Sequence, residues 1–215
     1  MILIKNLYLR YIREYFALYD INLKIEQNES VAFLGEVESG KTSLLRILAK
    51  VEKYTKGEVY IKNIPLQKIN YATDVNLGYI PATPVFFENK TVYDNLKYVL
   101  KVQKIKKTEL ETKINDALIE FKLENIKDTK IKALTLFEKY LISFARLSFR
   151  MLEIVLIDDI FENLKQEEQE VLKEIIKKNY VGKSILILAT QDEKIAKELC
   201  KRKIFFKSGS IEKND

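Results

Sequence analysis

The stretch Ser30-Val31-Ala32-Phe33-Leu34-Gly35-Glu36-Val37-Glu38-Ser39-Gly40-Lys41-Thr42-Ser43-Leu44-Leu45 decides the reading of this chain. Five residues that are mostly apolar run into a glycine, four variable positions follow, and Gly-Lys-Thr leads into residues with helical spacing. The pattern G-x-x-x-x-G-K-[ST] is met at every fixed position from Gly35 to Thr42. The spacing has a physical basis. The loop has to turn so that successive backbone N–H groups converge on one anion, which Gly35 and Gly40 permit. Lys41 brings a positive charge to the terminal phosphates, Thr42 offers a hydroxyl to a magnesium ion, and the following helix presents its positive dipole end. A chance match in a chain of this length has a probability of roughly a few in a thousand. The residues placed on a bound nucleotide are Gly35, Glu36, Val37, Glu38, Ser39, Gly40, Lys41, Thr42 and Ser43. The acids Glu36 and Glu38 are unusual in a loop that receives a polyanion, and they weaken binding least if their side chains point away from it.

Working outward, residues 2–9 and 16–25 alternate apolar and polar side chains and predict two half-buried antiparallel strands. Ser30–Leu34 predicts a buried strand and Thr42–Lys50 a helix. Gly57–Lys62 and Leu77–Ile80 predict further strands. From Thr91 to Leu123 the period becomes helical, with Leu96, Val99, Leu100 and Val102 on one stripe and Leu110, Ile114, Ala117, Leu118 and Phe121 on another. A further helix is expected after Glu138, to about Arg150. After it come a buried strand at Glu153–Ile157, a charged helix, a strand at Ser184–Ala189, a helix to Cys200 and a terminal hairpin at Lys203–Ile211. Strands alternating with helices predict an α/β fold with mainly parallel central strands. An antiparallel β subdomain precedes them, and a helical lobe is inserted at about residues 82–150, leaving 1–81 and 153–215 as the core.

Ile154-Val155-Leu156-Ile157-Asp158 is an apolar strand that ends in an acid. A carboxylate at the carboxyl end of a strand beside the glycine-loop strand is where a magnesium-water ligand belongs. Thr42 and Asp158 are therefore the metal candidates, and Asp159 is placed to orient an attacking water.

Composition narrows the classes. The 215 residues carry 37 Lys and Arg against 31 Asp and Glu, a formal charge of +6, with no histidine and one cysteine, Cys200. A single thiol cannot pair within the chain, which fits a reducing compartment. No apolar run reaches the roughly 18 residues of a membrane span, and charge at Lys5 comes too early for a signal-peptide core. Lys and Glu interleave along helix faces, as in Lys106-Lys107-Thr108-Glu109 and Glu167-Glu168-Gln169-Glu170, so the positive excess reads as solvated surface or as contact with lipid headgroups or a membrane partner's loops. No nucleic-acid partner is expected.

Several short phrases together resemble the ATP-binding subunits of ABC transporters, and the resemblance spans essentially the whole chain. Beyond the glycine loop and Asp158 they are Asn28-Glu29-Ser30, Leu77-Gly78-Tyr79-Ile80-Pro81, Thr91-Val92-Tyr93-Asp94-Asn95-Leu96, Phe144-Ala145-Arg146, Leu188-Ala189-Thr190-Gln191-Asp192 and Lys207-Ser208-Gly209-Ser210-Ile211. The resemblance implies a P-loop NTPase core, ATP with Mg²⁺ as cofactors, and Tyr11 as the aromatic that stacks on adenine. It also implies a dimer of nucleotide-binding domains, homomeric or heteromeric, held on the inner face of the cell membrane by an integral membrane partner. Phe86, Phe87 and the segment from Thr91 to Tyr98 correspond to the docking surface for that partner. Within the family, T-V-Y-D-N-L, E-N-L and A-T-Q-D lean toward the cell-division ATPase FtsE and its lipoprotein-release (LolD-like) relatives, whose membrane partner is FtsX-like.

The chain departs from the family pattern where hydrolysis is concerned. The family's glutamine aligns with Ala82. Its L-S-G-G-Q signature aligns with Leu134-Thr135-Leu136-Phe137-Glu138. The catalytic glutamate aligns with Asp159, one methylene shorter, the aspartate of the S-A-L-D loop with Lys165, and the switch histidine with Gln191. A reacting group displaced by about 1 Å can cost about 10²-fold. The expectation is an ATP-binding subunit with weak or no hydrolysis. Two alternatives stay open at this level: a working ATPase that uses Asp159 and Gln191, and a non-enzymatic scaffold with a vestigial nucleotide site.

Overall fold

A computed structural model describes residues 1–12 and 15–215. By backbone proximity they form two compact units, Met1–Tyr79 with Leu152–Glu162 and Lys173–Asp215, and Ile80–Met151 with Asn163–Leu172.

The first unit is built on two sheets. β1 (Ile2–Ile12) and β2 (Tyr15–Ile25) pair antiparallel, with Ile2 opposite Ile25 and Leu9 opposite Leu18. β3 (Ser30–Leu34) is buried at every position, as a strand covered on both faces must be. α1 (Lys41–Leu48) buries Leu44, Leu45, Ile47 and Leu48, each stabilising the fold by roughly 2 kcal/mol. β4 (Lys56–Ile61) joins the free side of β1 antiparallel, and β5 (Ile64–Pro65) adds two residues at its edge. β6 (Leu77–Ile80) is an edge strand of the second sheet.

The second unit carries α2 (Val92–Val102), α3 (Lys107–Glu120) and α4 (Leu136–Ser148), which pack on one another. The apolar stripes read from the sequence are buried on them: Leu96 and Leu100 on α2, and Leu110, Ile114, Ala117 and Leu118 on α3. Val102 of the first stripe is exposed, lying at the end of its helix. α4 begins earlier than expected, with Glu138 inside it rather than before it, because Thr135 caps it and Glu138 sits in its first turn.

The remaining elements are β7 (Ile154–Asp158), α5 (Gln166–Asn179), β8 (Ile185–Thr190), α6 (Glu193–Leu199), β9 (Arg202–Lys207) and β10 (Ser210–Asn214); the boundary between the units falls inside α5. The larger sheet runs β10-β9-β3-β8-β7-β6, with β9, β3, β8 and β7 parallel and β10 returning antiparallel. This corrects one expectation. The strand that ends in Asp158 is not beside β3, because β8 lies between them. Asp158 is still reached from the end of β3, because α1, leaving that strand, packs on both β8 and β7. The α/β class, the mainly parallel central sheet, the antiparallel N-terminal sheet and the helical segment are all present. No helix among the described residues is long and apolar enough to cross a membrane.

Candidate nucleotide site

The loop from Gly35 to Thr42 joins the end of β3 to α1. Gly40 lies at φ 104°, and a methyl group there would meet the Ala17 carbonyl at 2.7 Å and a Leu18 methyl at 2.9 Å. The loop therefore packs tightly on β2, and only glycine fits. Glu38 holds a left-handed φ of 63° without that freedom, a modest strain of the kind found in ligand-binding turns. Glu36, Val37 and Glu38 are exposed, so the two acids face solvent, where their repulsion of an anion is screened. Gly209 braces the loop from outside it: its N–H donates to the Ser39 carbonyl at 3.0 Å, and its own carbonyl accepts from Tyr19 of β2 at 2.8 Å.

Lys41 is 3 % exposed. Its ammonium donates to the carbonyls of Gly35 at 2.6 Å and Glu36 at 2.9 Å, and it lies 3.9 Å from the Asp159 carboxylate. Burial pulls the lysine below its ordinary pKa, with Asp159, Asp158 and Glu162 opposing the shift. Burial likewise raises Asp159, against the pull of Lys41. At 3.9 Å the two charges are in long-range contact rather than a tight ion pair, and desolvation is the larger influence on each.

Asp158 ends β7 and is 1 % exposed. Thr42 donates its hydroxyl to Oδ1 of Asp158 at 2.8 Å, so the two metal candidates, far apart in sequence, are in contact. Burial raises the Asp158 pKa, while the Thr42 and Tyr79 hydroxyls and Lys41 act the other way. Among the described residues no cluster of three or more His, Cys, Asp or Glu side chains is placed to hold a metal. A hydroxyl and one carboxylate beside a phosphate loop fit magnesium instead, which takes its other ligands from phosphate oxygens and water. A calcium or zinc cage does not fit this donor set.

Asp159 directly follows β7 at φ 45°, its N–H donating to the Ala189 carbonyl at 3.0 Å, which aims its carboxylate toward Lys41. Gln191 is exposed just past β8, the strand between β3 and β7, and so lies at the same carboxyl end of the parallel strands. Tyr11 is half exposed; its hydroxyl donates to Glu52 at 2.9 Å and lies 3.3 Å from the Ser43 hydroxyl at the start of α1. The ring thus stands beside the helix that opens the site. Two partners were missed in the sequence: Glu52, which anchors Tyr11, and Tyr79, whose hydroxyl reaches Oδ2 of Asp158 at 3.2 Å. Strand alternation at Leu77 and Tyr79 was the only local signal for the second.

In the helical unit, the segment aligned with the signature is the N-terminus of α4. The Glu138 carboxylate accepts from the Thr135 N–H at 2.8 Å and from its hydroxyl at 2.9 Å, and Thr135 in turn accepts from the Glu138 N–H at 3.2 Å. The Ala82 carbonyl accepts from the Tyr140 hydroxyl at 2.6 Å. Asn95 is fully buried and, with Arg146, holds residues 85–87. It accepts from the Phe87 N–H and donates back to the Phe87 carbonyl, while Arg146 donates to the Val85 carbonyl and stacks on Phe86. Phe87 and Tyr98 remain about half exposed and form an edge-to-face pair at 4.8 Å. After β7, the turn that ends at Asn163 holds that residue at φ 66°, and the Lys165 N–H donates to Glu168.

This phosphate loop, with its lysine, its threonine–aspartate pair and its parallel sheet, defines a P-loop nucleotide-binding fold. Residues 18–162 match the family model described as ABC transporter, and the chain belongs to that family. It is 31 % identical over 201 residues to the sulfate/thiosulfate import ATP-binding protein CysA of Halalkalibacterium halodurans, which covers 91 % of this chain and 56 % of the relative. It is 27 % identical over 211 residues to the oligosaccharides import ATP-binding protein MsmX of Bacillus subtilis, covering 97 % and 57 %. The chain thus spans a little over half the length of these curated relatives. Its fold matches that of the dimeric bacterial ABC transporter cassette MJ0796, with a TM-score of 0.86 and 24 % identity, over 100 % of this chain and 98 % of that one.

Proposed function

We propose that this chain binds ATP with Mg²⁺ as the nucleotide-binding subunit of an ABC-type membrane complex, and that it hydrolyses ATP weakly or not at all. The observation that carries the binding is the Thr42–Asp158 contact at 2.8 Å beside the buried Lys41. In this reading Gly35–Ser43 hold the phosphates, Tyr11 supports the adenine, and Thr42 and Asp158 serve the metal, which would neutralise phosphate charge. Residues 1–81 and 153–215 form the core and about 82–150 the helical lobe of one nucleotide-binding domain.

The weak-hydrolysis part draws on Ala82, which offers no ligand, and on the α4 N-terminus. That turn is already capped by the chain's own Glu138 carboxylate, which disfavours a second anion there. Such a site pairs best with a subunit that brings an intact signature, so a heterodimer suits this chain better than a homodimer. The membrane partner would dock at the exposed Phe87–Tyr98 pair and hold the complex on the inner face of the membrane. The relatives named above are import ATPases, which favours a permease of an import system. The leaning toward FtsE and an FtsX-like partner rests on short phrases alone.

Calorimetry with ATP, with and without Mg²⁺, tests the binding: saturation should raise stability by a few kcal/mol. No stabilisation at millimolar ATP would favour a scaffold with a vestigial site. A working ATPase is the second reading, favoured by the Asp159 carboxylate 3.9 Å from Lys41. Single-turnover hydrolysis with Asp159→Asn separates the two: a measurable wild-type rate that falls at least tenfold in the variant supports it, and an unchanged rate removes Asp159 from catalysis.

A further inference from the structure

Asp158 is almost wholly buried, and its two carboxylate oxygens face different donors. Oδ1 accepts from Thr42 at 2.8 Å; Oδ2 accepts from the Tyr79 hydroxyl at 3.2 Å. Tyr79 stands on β6, the edge strand next to β7 in the sheet order. Its ring is partly buried, packed against the core formed by β1–β4, α1 and the central strands. The phenol is therefore held by its ring and aimed by its strand. Burial first, then the charge of Asp158, pushes its pKa well above the ordinary tyrosine value, so it stays a donor at any working pH. Arg46 also acts on both Asp158 and Tyr79 through space, and Lys41 acts on Asp158, but neither donates a hydrogen bond to Oδ2.

We propose that Tyr79 is a positioning residue for the metal corner: its hydroxyl holds Oδ2 of Asp158 and so fixes the turn of the carboxylate that presents Oδ1 at Thr42. Without that donor, Oδ2 becomes a buried acceptor with no hydroxyl on it. The carboxylate then either rotates about its Cβ–Cγ bond, which breaks the Thr42 contact, or takes in water. Both outcomes blur the geometry of an ion that tolerates little departure from octahedral. Groups that hold a metal-facing carboxylate from behind matter to metal affinity on the scale of about tenfold. The same principle separates Tyr79 from Tyr71, whose hydroxyl is spent on the Leu48 carbonyl and touches no charged group of the site.

This rests on the nucleotide–magnesium reading above, and the experiment keeps the two apart. Affinity for a fluorescent ATP analogue is measured in Mg²⁺ and in EDTA for the wild type, Tyr79→Phe and Tyr71→Phe, alongside thermal unfolding of each ligand-free protein. The wild type is expected to bind more tightly with Mg²⁺. Tyr79→Phe should lose about tenfold of that gain while its affinity in EDTA stays within about twofold. Tyr71→Phe should lower the melting temperature and leave the Mg²⁺ gain intact. Direct Mn²⁺ binding by electron paramagnetic resonance, with analogue present, should weaken in step for Tyr79→Phe alone. If Tyr79→Phe keeps the full Mg²⁺ gain, or weakens equally in Mg²⁺ and EDTA, the proposal is overturned. If Tyr79→Phe does not fold, Tyr79→Met, which fills the space without a hydroxyl, carries the same comparison. A wild type that binds equally with and without Mg²⁺ overturns the metal reading itself, and Tyr79 with it.

Discussion

A single methyl group measures how closely the phosphate loop is fitted to the strand beneath it. Gly40 combines a φ of 104° with a carbonyl and a methyl inside 3 Å of any Cβ. Gly40→Ala should therefore cost about 2 kcal/mol, from backbone strain of about 1 kcal/mol and a similar clash term. Urea unfolding of the two proteins checks this, and a cost near zero would mean that the loop shifts freely. The contrast is Gly182, at φ 72° with nothing within 4 Å of its Cβ position; an alanine there meets strain alone. The pattern G-x-x-x-x-G-K-[ST] announced Gly40, but it could not announce why alanine fails there. That depends on Ala17 and Leu18, which meet the loop only once β2 is paired and packed.

At the scale of elements, two contacts tie the helices down. Thr135 and Glu138 form a reciprocal cap on α4. Thr135→Ala should destabilise the helical unit by about 1 kcal/mol, seen as a lower denaturation midpoint with an unchanged slope. Glu198 of α6 receives Lys173 at 2.7 Å and Lys177 at 2.6 Å, both from α5. Lys173 first, then Lys177, holds the Glu198 carboxyl below its ordinary value of 4.5. A depressed carboxylate stabilises above its unfolded pKa and stops doing so as pH falls through its folded pKa. Glu198→Gln should thus cost about 1 kcal/mol at pH 7, discounted because the carboxylate is about a third exposed. The difference should close as pH drops below 4.5, and a gap that persisted in acid would point to shape rather than charge. Long periodic elements were legible in the sequence: β1, β2, α2 and α3 follow their apolar stripes. The two-residue β5 was not, since no pattern can show in two positions. Nor was the true start of α4, where an acid read as the last residue of an irregular segment is the third residue of a helix. The order of β3, β8 and β7 was out of reach too, because it depends on where α1 and the later crossovers pack rather than on any strand's own residues.

The whole molecule offers one internal reporter of its opening. Cys200 is the only cysteine, and it lies just after α6 and before β9, the strand that pairs with the phosphate-loop strand β3. Burial pushes its thiol up to about 12, so thiolate is scarce and access is closed. A thiol reagent at pH 8 should leave the folded protein unmodified on the timescale in which the urea-unfolded chain reacts completely. When opening and closing are fast relative to the labelling step, its rate follows the population of the open state. A ligand that binds only the closed state lowers that population by a factor of one plus its concentration over its Kd. ATP–Mg²⁺ at 100 times its Kd should therefore slow Cys200 labelling about 100-fold, and Tyr79→Phe should need about tenfold more ligand for the same protection if it weakens the magnesium corner as argued. Protection by ATP in EDTA equal to that in Mg²⁺ would place the binding energy in the loop and the Tyr11 platform alone, with Thr42 and Asp158 merely a buried hydrogen bond.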